Sequence, residues 1–521
     1  MKAQDYNISS EKFKFHNNDG NLHDTKLETK PVTYMRDALN RFAKNKASIL
    51  AAIIIGILVL FAVVGPFMSP YQVKDTDAHY AYMLPKIGLF RELGIPFWDG
   101  CQQKTGLNKA TYDQYRAIEQ ELTHIDPDRI LFMSEPEVTT IINFGKEKQE
   151  YSFRLDVYNA VGVKWQSLTT AQYEQLQAYQ DEHNIQVIFP LTDPAQRPEA
   201  RQDVNNGNIW YKTKLGGGQK TEIVYDENGE FIPIYMLDDG SDKYTSKMYW
   251  EGDEKLYSYA EKKSGDEWYV RVDYKEFYTF WHQEVLGDKI TTPSFIFGTN
   301  DSGKDLFTSL ASGARFSLIL AVIVATVNLF VGAIYGAIEG YYGGKLDILM
   351  ERFVEIISSI PMMIVIVLLK YHLDVSHLVI LFISFFLTGW TGMAARTRMQ
   401  FYRFKNQEYV LVSRTLGAKD SRIMFKHIFP NAIGTLITGS VLVIPSVIFS
   451  ETSLTYLGII DLNVGNLTSV GTMLAKGQAN LFTYPHMILF PAIFISLLML
   501  SFNLFGNGLR DAFNPSLRGT E

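Results

Sequence analysis

Six apolar runs interrupt the sequence, and they constrain the fold more than any other feature. They contain few or no charged residues and lie at about 47–68, 316–338, 356–369, 377–395, 431–450 and 487–509. A helix needs ~20 such residues to cross a ~30 Å hydrocarbon core, and most of the runs reach that length. The third is short and crosses only if its helix begins earlier, near Met350 or Phe353. The sequence therefore predicts an all-α polytopic membrane protein with six transmembrane helices.

A polar insertion, residues 71–290, separates the first run from the second. It carries 24 Lys and Arg against 37 Asp and Glu, a net charge of −13, whereas the rest of the chain carries 25 against 19. Basic residues gather before the first run, at Arg36, Arg41, Lys44 and Lys46, and at eight positions from Arg396 to Lys426. Because basic loops stay in the cytoplasm, both termini are predicted to be cytoplasmic and residues 71–290 extracellular.

Local patterns inside the insertion predict both helices and strands. Thr169 and Gln172 form a capping-box pattern before a helix that we expect to end near His183. The Asp-Glu-Asn-Gly sequence at 226–229 predicts a hairpin, and the alternation at 270–274 is typical of a half-buried strand. The insertion is therefore predicted to be an α+β domain.

The insertion also contains a faint internal repeat. Five residues within 110–121 recur within 171–182 at a constant offset of 61, and each copy precedes an apolar stretch. Five matches over twelve positions fit either a duplication or chance, and both explanations stay open.

The segment before the first run has two parts. Residues 1–33 are polar and without periodicity, which is typical of a loosely held tail. Within 33–46, Met35, Leu39 and Phe42 recur among basic residues. This pattern fits an interfacial amphipathic helix or a simple cationic flank equally well.

The loop between the fourth and fifth runs, residues 406–430, has the pattern of two short helices. Tyr409, Val412 and Leu416 recur at helical spacing and predict one apolar stripe, with Arg414 pointing away from it.

Three residues of this loop are expected to mark where its helices begin and end. Gly417 is expected to adopt the left-handed conformation that ends the first helix. Asp420 is expected to cap the second helix, and Pro430 to close the unit before the fifth span. The Gly417-Ala418 turn and Ile428-Phe429-Pro430 together resemble the EAA loop of permease subunits in binding-protein-dependent ABC importers.

That resemblance implies a role for the loop. In the family it forms a coupling helix that sits in a groove on a separate ATPase subunit. Here Leu411-Val412-Ser413 stands in place of the family's Glu-Ala-Ala, so Leu411 cannot make the contact of that Glu. The residues that the resemblance assigns to ATPase coupling are Glu408, Tyr409, Val412, Ser413, Arg414, Leu416, Gly417, Ala418, Asp420 and Pro430.

Two further motifs precede and begin the second run. Gly298-Thr299-Asn300-Asp301-Ser302-Gly303-Lys304-Asp305 and Gly313-Ala314-Arg315-Phe316-Ser317-Leu318 are also explained by a short surface helix with Asp305 at its N-terminus. They resemble signatures of the peptide branch of these importers, with Asn300 and Lys304 in place of Asp and Arg. The signature residues are Gly298, Thr299, Gly303, Asp305, Gly313 and Arg315.

Similar matches at 340–352, 451–458, 471–474 and 503–518 extend the resemblance to the C-type permease subunit of oligopeptide and dipeptide importers (OppC/DppC-like). It implies a type I ABC importer permease fold. The expected parts are a cytoplasmic segment (1–46), transmembrane helix 1 (47–68), the extracellular inserted domain (71–290), an ABC transmembrane type-1 permease domain with helices 2–6 (313–509), and a cytoplasmic tail (510–521). The large insertion departs from the family pattern.

The resemblance also implies partners. They are a B-type permease subunit in a heterodimer, two cytoplasmic ABC ATPases, an extracellular peptide-binding lipoprotein, a peptide substrate and the lipid bilayer of a bacterial cell. ATP with Mg is expected on the partner ATPases, with no cofactor bound directly to this chain. No nucleic-acid partner is expected.

The membrane part of the sequence offers no site for chemistry of its own, and no nucleophile motif such as Gly-x-Ser-x-Gly supports one in the insertion. A phosphate-binding Gly-x-x-x-x-Gly-Lys-Ser/Thr motif does not occur, so ATP hydrolysis by that route is excluded. No catalytic, cofactor-binding or metal-binding residues are predicted; His183 and His282 are expected to be solvated surface residues, and Gly332-x-x-x-Gly336 to allow close helix packing. The predicted function is a permease subunit of an ATP-driven oligopeptide importer. Alternatives are a permease for a dipeptide, nickel or another small solute, or a membrane-anchored receptor or sensor.

Overall fold

A computed structural model describes residues 34–93, 95–96, 98–143, 146–196, 206–216, 221–240, 244–245, 256–263, 265–290, 292–462 and 468–513. It contains a bundle of apolar helices and an α+β domain inserted after the first of them. The predicted fold class is confirmed. The expectations for residues 1–33 and 514–521 lie outside the described residues.

Two helices begin the described chain, α1 (Tyr34–Lys44) and α2 (Lys46–Met68). Asn45 separates them, and its side chain accepts hydrogen bonds from two backbone N–H groups of the first turn of α2. Phe42 of α1 packs edge-on against Phe505 of the last helix, with ring centroids 5.3 Å apart. The structure therefore favours the amphipathic helix over a simple cationic flank.

In the described residues, the inserted domain contains two larger antiparallel sheets and one two-stranded pair. Its elements are α3 (Gly88–Glu92), β1 (Cys101–Leu107), α4 (Lys109–Ile125), β2 (Glu137–Asn143), β3 (Lys146–Asp156), β4 (Val163–Thr169), α5 (Thr170–His183), β5 (Ile188–Phe189), β6 (Thr213–Leu215), β7 (Thr221–Ile223), β8 (Tyr244–Thr245), β9 (Ala260–Lys262), β10 (Glu267–Asp273) and α6 (Tyr274–Phe280). The first sheet has the order β1-β3-β2. The second has the order β4-β10-β9-β8, with β5 also paired to β10.

The two larger sheets have the same order of elements. In each, a strand leads into a helix (β1 into α4, β4 into α5), and the stretch after the helix pairs with the central strand, β3 or β10. Both central strands end in Arg-apolar-Asp, at 154–156 and 271–273, and the final aspartates are ion-paired to Arg91 and Arg129. This correspondence favours a duplication over chance for the sequence repeat.

Two local predictions in the insertion are confirmed. Thr169 Oγ1 accepts a hydrogen bond from Gln172 N–H at 3.3 Å, and Thr169 N–H donates to Gln172 Oε1 at 3.0 Å, which completes the capping box of α5. The hairpin at 226–229 is closed by a hydrogen bond of 2.9 Å from Asp226 N–H to Glu230 C=O.

The half-buried strand predicted at 270–274 is wrong in two respects. Strand β10 ends at Asp273, because Tyr274 already begins α6. Arg271, expected on a solvent face, is fully buried and forms an ion pair with Glu121 of α4 at 2.7 Å. β10 has paired strands on both sides, and α4 supplies the partner of Arg271. The alternation of polar and apolar residues in β10 therefore does not correspond to an exposed face.

The chain then forms the rest of the membrane bundle. Its helices are α7 (Leu306–Tyr342), α8 (Gly344–Ser358), α9 (Met362–His372), α10 (His377–Gly389), α11 (Thr391–Phe404), α12 (Glu408–Thr415), α13 (Asp420–Arg422), α14 (Phe429–Val441), α15 (Val443–Tyr456), α16 (Val470–Gln478) and α17 (His486–Phe513). In the described residues, five helical segments are long and apolar enough to span a membrane, and α8 with α9, bent by 70°, supplies a sixth. The bend fits Pro361, which disfavours a helix in the residue before it.

The start of helix α7 differs from the expected boundary, whereas the packing in the middle of the helix agrees with the prediction. It begins at Leu306, before the boundary expected at 313, and runs into the membrane without a separate surface helix. At Gly336, an added Cβ would lie 2.1 Å from the carbonyl oxygen of Ala394 in α11. The predicted close helix packing at 332–336 is therefore confirmed.

Candidate functional site

The loop helix α12 has one anchored face and one free face. Val410 is fully buried and packs in a cluster with Phe401, Ile423 and Ile428. The predicted stripe lies on the other side. Its members Tyr409, Val412 and Leu416 are 39%, 56% and 81% exposed. Val410 was missed as an anchor because it falls outside the stripe periodicity.

Arg414 points away from the stripe, as predicted, and it contacts the end of α7. Its guanidinium carbon lies 5.8 Å from the ring centroid of Tyr341, at the C-terminal end of α7. The Tyr341 hydroxyl donates a 2.7 Å hydrogen bond to the Asp420 carboxylate. The prediction that Asp420 caps its helix is wrong, because no side chain caps that helix and this carboxylate bonds Tyr341 instead. These contacts fasten the loop to α7.

The turn after α12 has the predicted left-handed glycine. Gly417 has a φ of +80°, and its N–H donates to Arg414 C=O at 3.0 Å. Ala418 N–H donates to Ser413 C=O at 3.1 Å, which closes the turn. Glu408 provides an acidic side chain in the first turn of α12, where the helix dipole favours it.

Pro430 does not close the loop unit, contrary to the prediction. It lies in the first turn of α14, inside one continuous helical segment over 420–456. The preceding turn, Ile423–Ile428, is π-helical, and Phe429 N–H bonds Met424 C=O. Proline has no N–H and its ring crowds the carbonyl four residues back, so a widened turn lets the helix continue through it.

The signature residues before α7 form a second cluster, at the end of α7 opposite the loop helix. This cluster is here called the outer latch (Gly298, Thr299, Gly303 and Asp305). Thr299 is its centre. Its hydroxyl donates to Tyr80 C=O at 2.5 Å and accepts from Met83 N–H at 2.8 Å, and its own N–H donates to Met83 C=O at 2.9 Å. The latch thus joins the chain leaving α2 to the start of α7.

Gly303 and Asp305 complete the latch. An added Cβ on Gly303 would lie 1.8 Å from Asp77 C=O, so the two segments touch through backbone. Asp305 caps α7 by accepting from Thr308 N–H at 2.9 Å, and burial raises the pKa of its carboxyl. Gly313 and Arg315 lie further along α7, outside the latch; Arg315 borders a cavity of about 590 Å³.

Several polar contacts in the membrane part were not predicted from the sequence. Arg398 Nε lies 2.6 Å from Asp347, 3.2 Å from Glu339 and its Nη1 3.6 Å from Glu351. This cluster holds α7, α8 and α11 together. Asp347 was a motif position, but its partner is distant in sequence and no local pattern indicates it.

His183 is exposed, as expected, whereas His282 is not. His282 is 6% exposed and its Nδ1 lies 3.1 Å from Asp288, so its assignment to the solvated surface is wrong. His183 is in contact with the carbonyl of Tyr179 in its own helix. Among the described residues, no group of three or more His, Cys, Asp or Glu side chains could hold a metal ion.

Comparisons with known proteins match most of the membrane part. Residues 332–519 match the family described as "Binding-protein-dependent transport system inner membrane component". Residues 33–85 match "N-terminal TM domain of oligopeptide transport permease C". Residues 86–331, which contain most of the insertion, lie between the two matches.

Several curated relatives are similar to this chain. The oligopeptide transport system permease protein OppC of Bacillus subtilis is 43% identical over 232 residues, covering 44% of this chain and 75% of the relative. The dipeptide transport system permease protein DppC of the same species is 39% identical, covering 43% of this chain and 69% of that protein. OppC of Haemophilus influenzae is 36% identical, covering 48% and 79%.

A solved structure is also similar to part of the chain. An inward-facing form of the MetNI methionine ABC transporter matches with a TM-score of 0.31 and 14% identity, covering 40% of this chain and 96% of that one.

Proposed function

This chain belongs to the OppC- and DppC-like permeases of binding-protein-dependent ABC importers, and we propose that it forms half of the translocation pathway of an oligopeptide importer. The other half is a B-type permease subunit, and two cytoplasmic ATPases drive the pair. The oligopeptide substrate follows from the similarity to OppC of Bacillus subtilis. The similarity to DppC proteins makes a dipeptide the second candidate.

The observation that carries the coupling role is the free face of α12. Tyr409, Val412 and Leu416 leave an apolar stripe in water on a helix whose opposite side is anchored by Val410. Exposing such a stripe costs free energy unless a partner covers it. We assign it to a groove on an ATPase subunit, with the remaining loop residues Glu408, Ser413, Arg414, Gly417, Ala418, Asp420 and Pro430 holding its geometry.

The fastening of α12 suggests how motion passes to the membrane. Arg414 and Asp420 both contact Tyr341 at the end of α7, and α7 runs to the outer latch. A displacement of α12 therefore acts on α7, a helix that spans the whole bilayer. Rigid helices of this kind transmit displacement between distant sites.

The inserted domain lies on the side from which a peptide-loaded lipoprotein would approach, and we assign it a receptor-docking role. Lys86 N–H donates to Phe295 C=O at 2.8 Å, so the two ends of the domain meet. Removing 88–293 with a short Gly-Ser join would keep the outer latch. We expect weaker receptor binding and slower uptake, while the subunit still assembles; unchanged receptor binding in an assembled complex would reject this role.

The function is tested by purification and reconstitution. Affinity purification of the tagged chain from mild detergent should bring down a sister permease and ATPase subunits. In proteoliposomes, the complex should take up a labelled hexapeptide only with ATP and binding protein. Competition by unlabelled hexapeptide, dipeptide and Ni²⁺ separates the candidate substrates. Uptake by the isolated chain without ATPases would contradict the proposal.

A further inference from the structure

A cavity of about 430 Å³, here called the juxtamembrane cavity, lies where the inserted domain meets the start of α7. Its walls come from three segments: 71–79, which follows α2; the second sheet with α6 and the turn after it; and 295–305, which carries Phe295 and the outer-latch residues Gly303 and Asp305. The volume is in the range of small-ligand sites. None of the residues assigned to coupling lines this cavity.

Its lining is acidic and aromatic. Asp75, Asp77 and Asp305 supply three carboxylates. The aromatic rings are those of Tyr71, Tyr274, Phe277, Tyr278, Trp281 and Phe295. No lysine or arginine of the described chain lines the cavity. Carboxylates combined with aromatic faces attract an organic cation, through charge and through the ring quadrupoles.

The three carboxylates are held in place by neutral hydrogen-bond donors. Asp77 accepts from His79 N–H at 2.9 Å and from the Tyr274 hydroxyl at 2.7 Å, and Asp75 accepts from Gln72 N–H at 2.8 Å. Within the described residues, no ion pair links Asp75, Asp77 or Asp305 to a basic side chain. Asp75 and Asp77 thus stay available to a cation, whereas burial favours the protonated form of Asp305.

In the described residues, the histidines near the cavity form no ion pair with Asp75 or Asp77. Burial first, and then Lys164, lower the pKa of His79, against the opposite effect of Asp77. His79 is therefore neutral at pH 7. His282 contacts Asp288, a carboxylate that does not line the cavity.

An independent observation at the same place points to a ligand. Tyr278 lines the cavity and is only 6% exposed, yet within the described residues its hydroxyl has no hydrogen-bond partner. Burial first, then Tyr71 and the carboxylates of Asp77, Asp75 and Asp305, raise the pKa of Tyr278. The hydroxyl is not among the fully enclosed polar atoms, so it opens onto the cavity as a protonated phenol that can hydrogen-bond a ligand there.

We propose that the juxtamembrane cavity binds a protonated primary amine carried on a small apolar body. The ammonium donates to the carboxylates of Asp77 and Asp75 and to the Tyr278 hydroxyl, and the apolar body packs on the aromatic rings. An amino terminus of a short peptide and a free amine share this chemistry. The inference does not depend on the transport role proposed above.

Calorimetric titration of the full-length chain in detergent tests this inference, with empty micelles as the blank. The probes are phenylalaninamide, which is a cation, and N-acetylphenylalaninamide, which has the same ring and no charge. We expect saturable binding of the first and none of the second. Equal binding of the two probes, or no saturable binding of phenylalaninamide, would overturn the inference.

Three variants locate the site. Asp77→Asn, which keeps the size of the side chain and one acceptor oxygen, should weaken binding by about tenfold or more, because a charge-assisted bond is lost. Tyr278→Phe removes an unpartnered hydroxyl, so it should fold normally and weaken binding by about fivefold. Asp128→Asn removes the same charge from an exposed position that does not line the cavity, and it should leave affinity unchanged. Insensitivity to both cavity variants would refute the site.

A hexapeptide with a free or an acetylated amino terminus distinguishes the two sources. Binding of the free form as tight as that of phenylalaninamide identifies peptide amino termini. Much weaker binding of the hexapeptide identifies small amines. In both cases the ammonium chemistry stands, whereas tighter binding of the acetylated hexapeptide would contradict it.

Discussion

The outer latch and the loop helix α12 are both marked by sequence motifs, but the structure gives them opposite surroundings. Thr299 and Asp305 of the latch are buried, and their polar groups are satisfied by the same chain. Val412 and Leu416 of α12 are exposed and unmatched. A motif whose partners are internal serves folding, while a motif left facing water serves another molecule. The comparison predicts that latch variants lose stability and that stripe variants lose coupling.

Gly303 offers the severest test, because both its conformation and its surroundings exclude a side chain. Gly303→Ala should be destabilised by about 3 kcal/mol more than Gly240→Ala, since both sites have a positive φ but only Gly303 has a backbone atom in the way. Thermal unfolding in detergent and the amount of protein in membranes measure this. Equal losses in the two variants would show that the latch contact is dispensable.

Thr299→Val keeps the shape of the latch and removes its hydroxyl. The C=O of Tyr80 and the N–H of Met83 lose their partner in a buried setting, which should cost about 2 kcal/mol. The unfolding temperature should fall, while ATPase subunits still co-purify with the folded fraction. Loss of ATPase binding by a protein of unchanged stability would show that the latch serves coupling rather than folding.

Val410 and Val412 form a matched pair on one helix. Val410→Ala removes buried methyl groups and should cost about 2 kcal/mol, whereas Val412→Ala should change stability by less than about 0.5 kcal/mol. ATP-driven uptake per folded complex should fall in the Val412 variant. Similar stability losses at both positions would mean that the stripe is covered by this chain itself.

Leu416→Glu should have the smallest effect on stability, within about 0.5 kcal/mol, because the side chain is 81% exposed. If an ATPase groove covers it, a buried charge there should reduce ATPase association and ATP-driven uptake at least about tenfold. Co-purification and proteoliposome uptake measure this. Lys419→Gln, on the exposed turn, is a suitable control. Lys405→Gln is not, because Lys405 Nζ bonds Gly340 C=O. Normal uptake by the Leu416 variant would remove the stripe from the coupling surface.

Features set by neighbouring residues were predictable. The capping box of α5, the positive φ of Gly417, the stripe on α12 and the close packing at Gly336 each depend on a short pattern. Pro430 shows the limit of such rules. A proline ordinarily ends a helix, but here a π-helical turn before it lets the helix continue.

The sequence by itself determined which segments form long apolar helices, because ~20 apolar residues have few places to lie other than a membrane. It also determined which face of α12 is apolar. Only the tertiary structure decided that Arg271 is buried against Glu121, that Thr299 bonds Tyr80 and Met83, and that three carboxylates and Tyr278 meet in one cavity. Those partners are far apart in the chain, and local periodicity carries no information about contacts that form only when distant segments pack together.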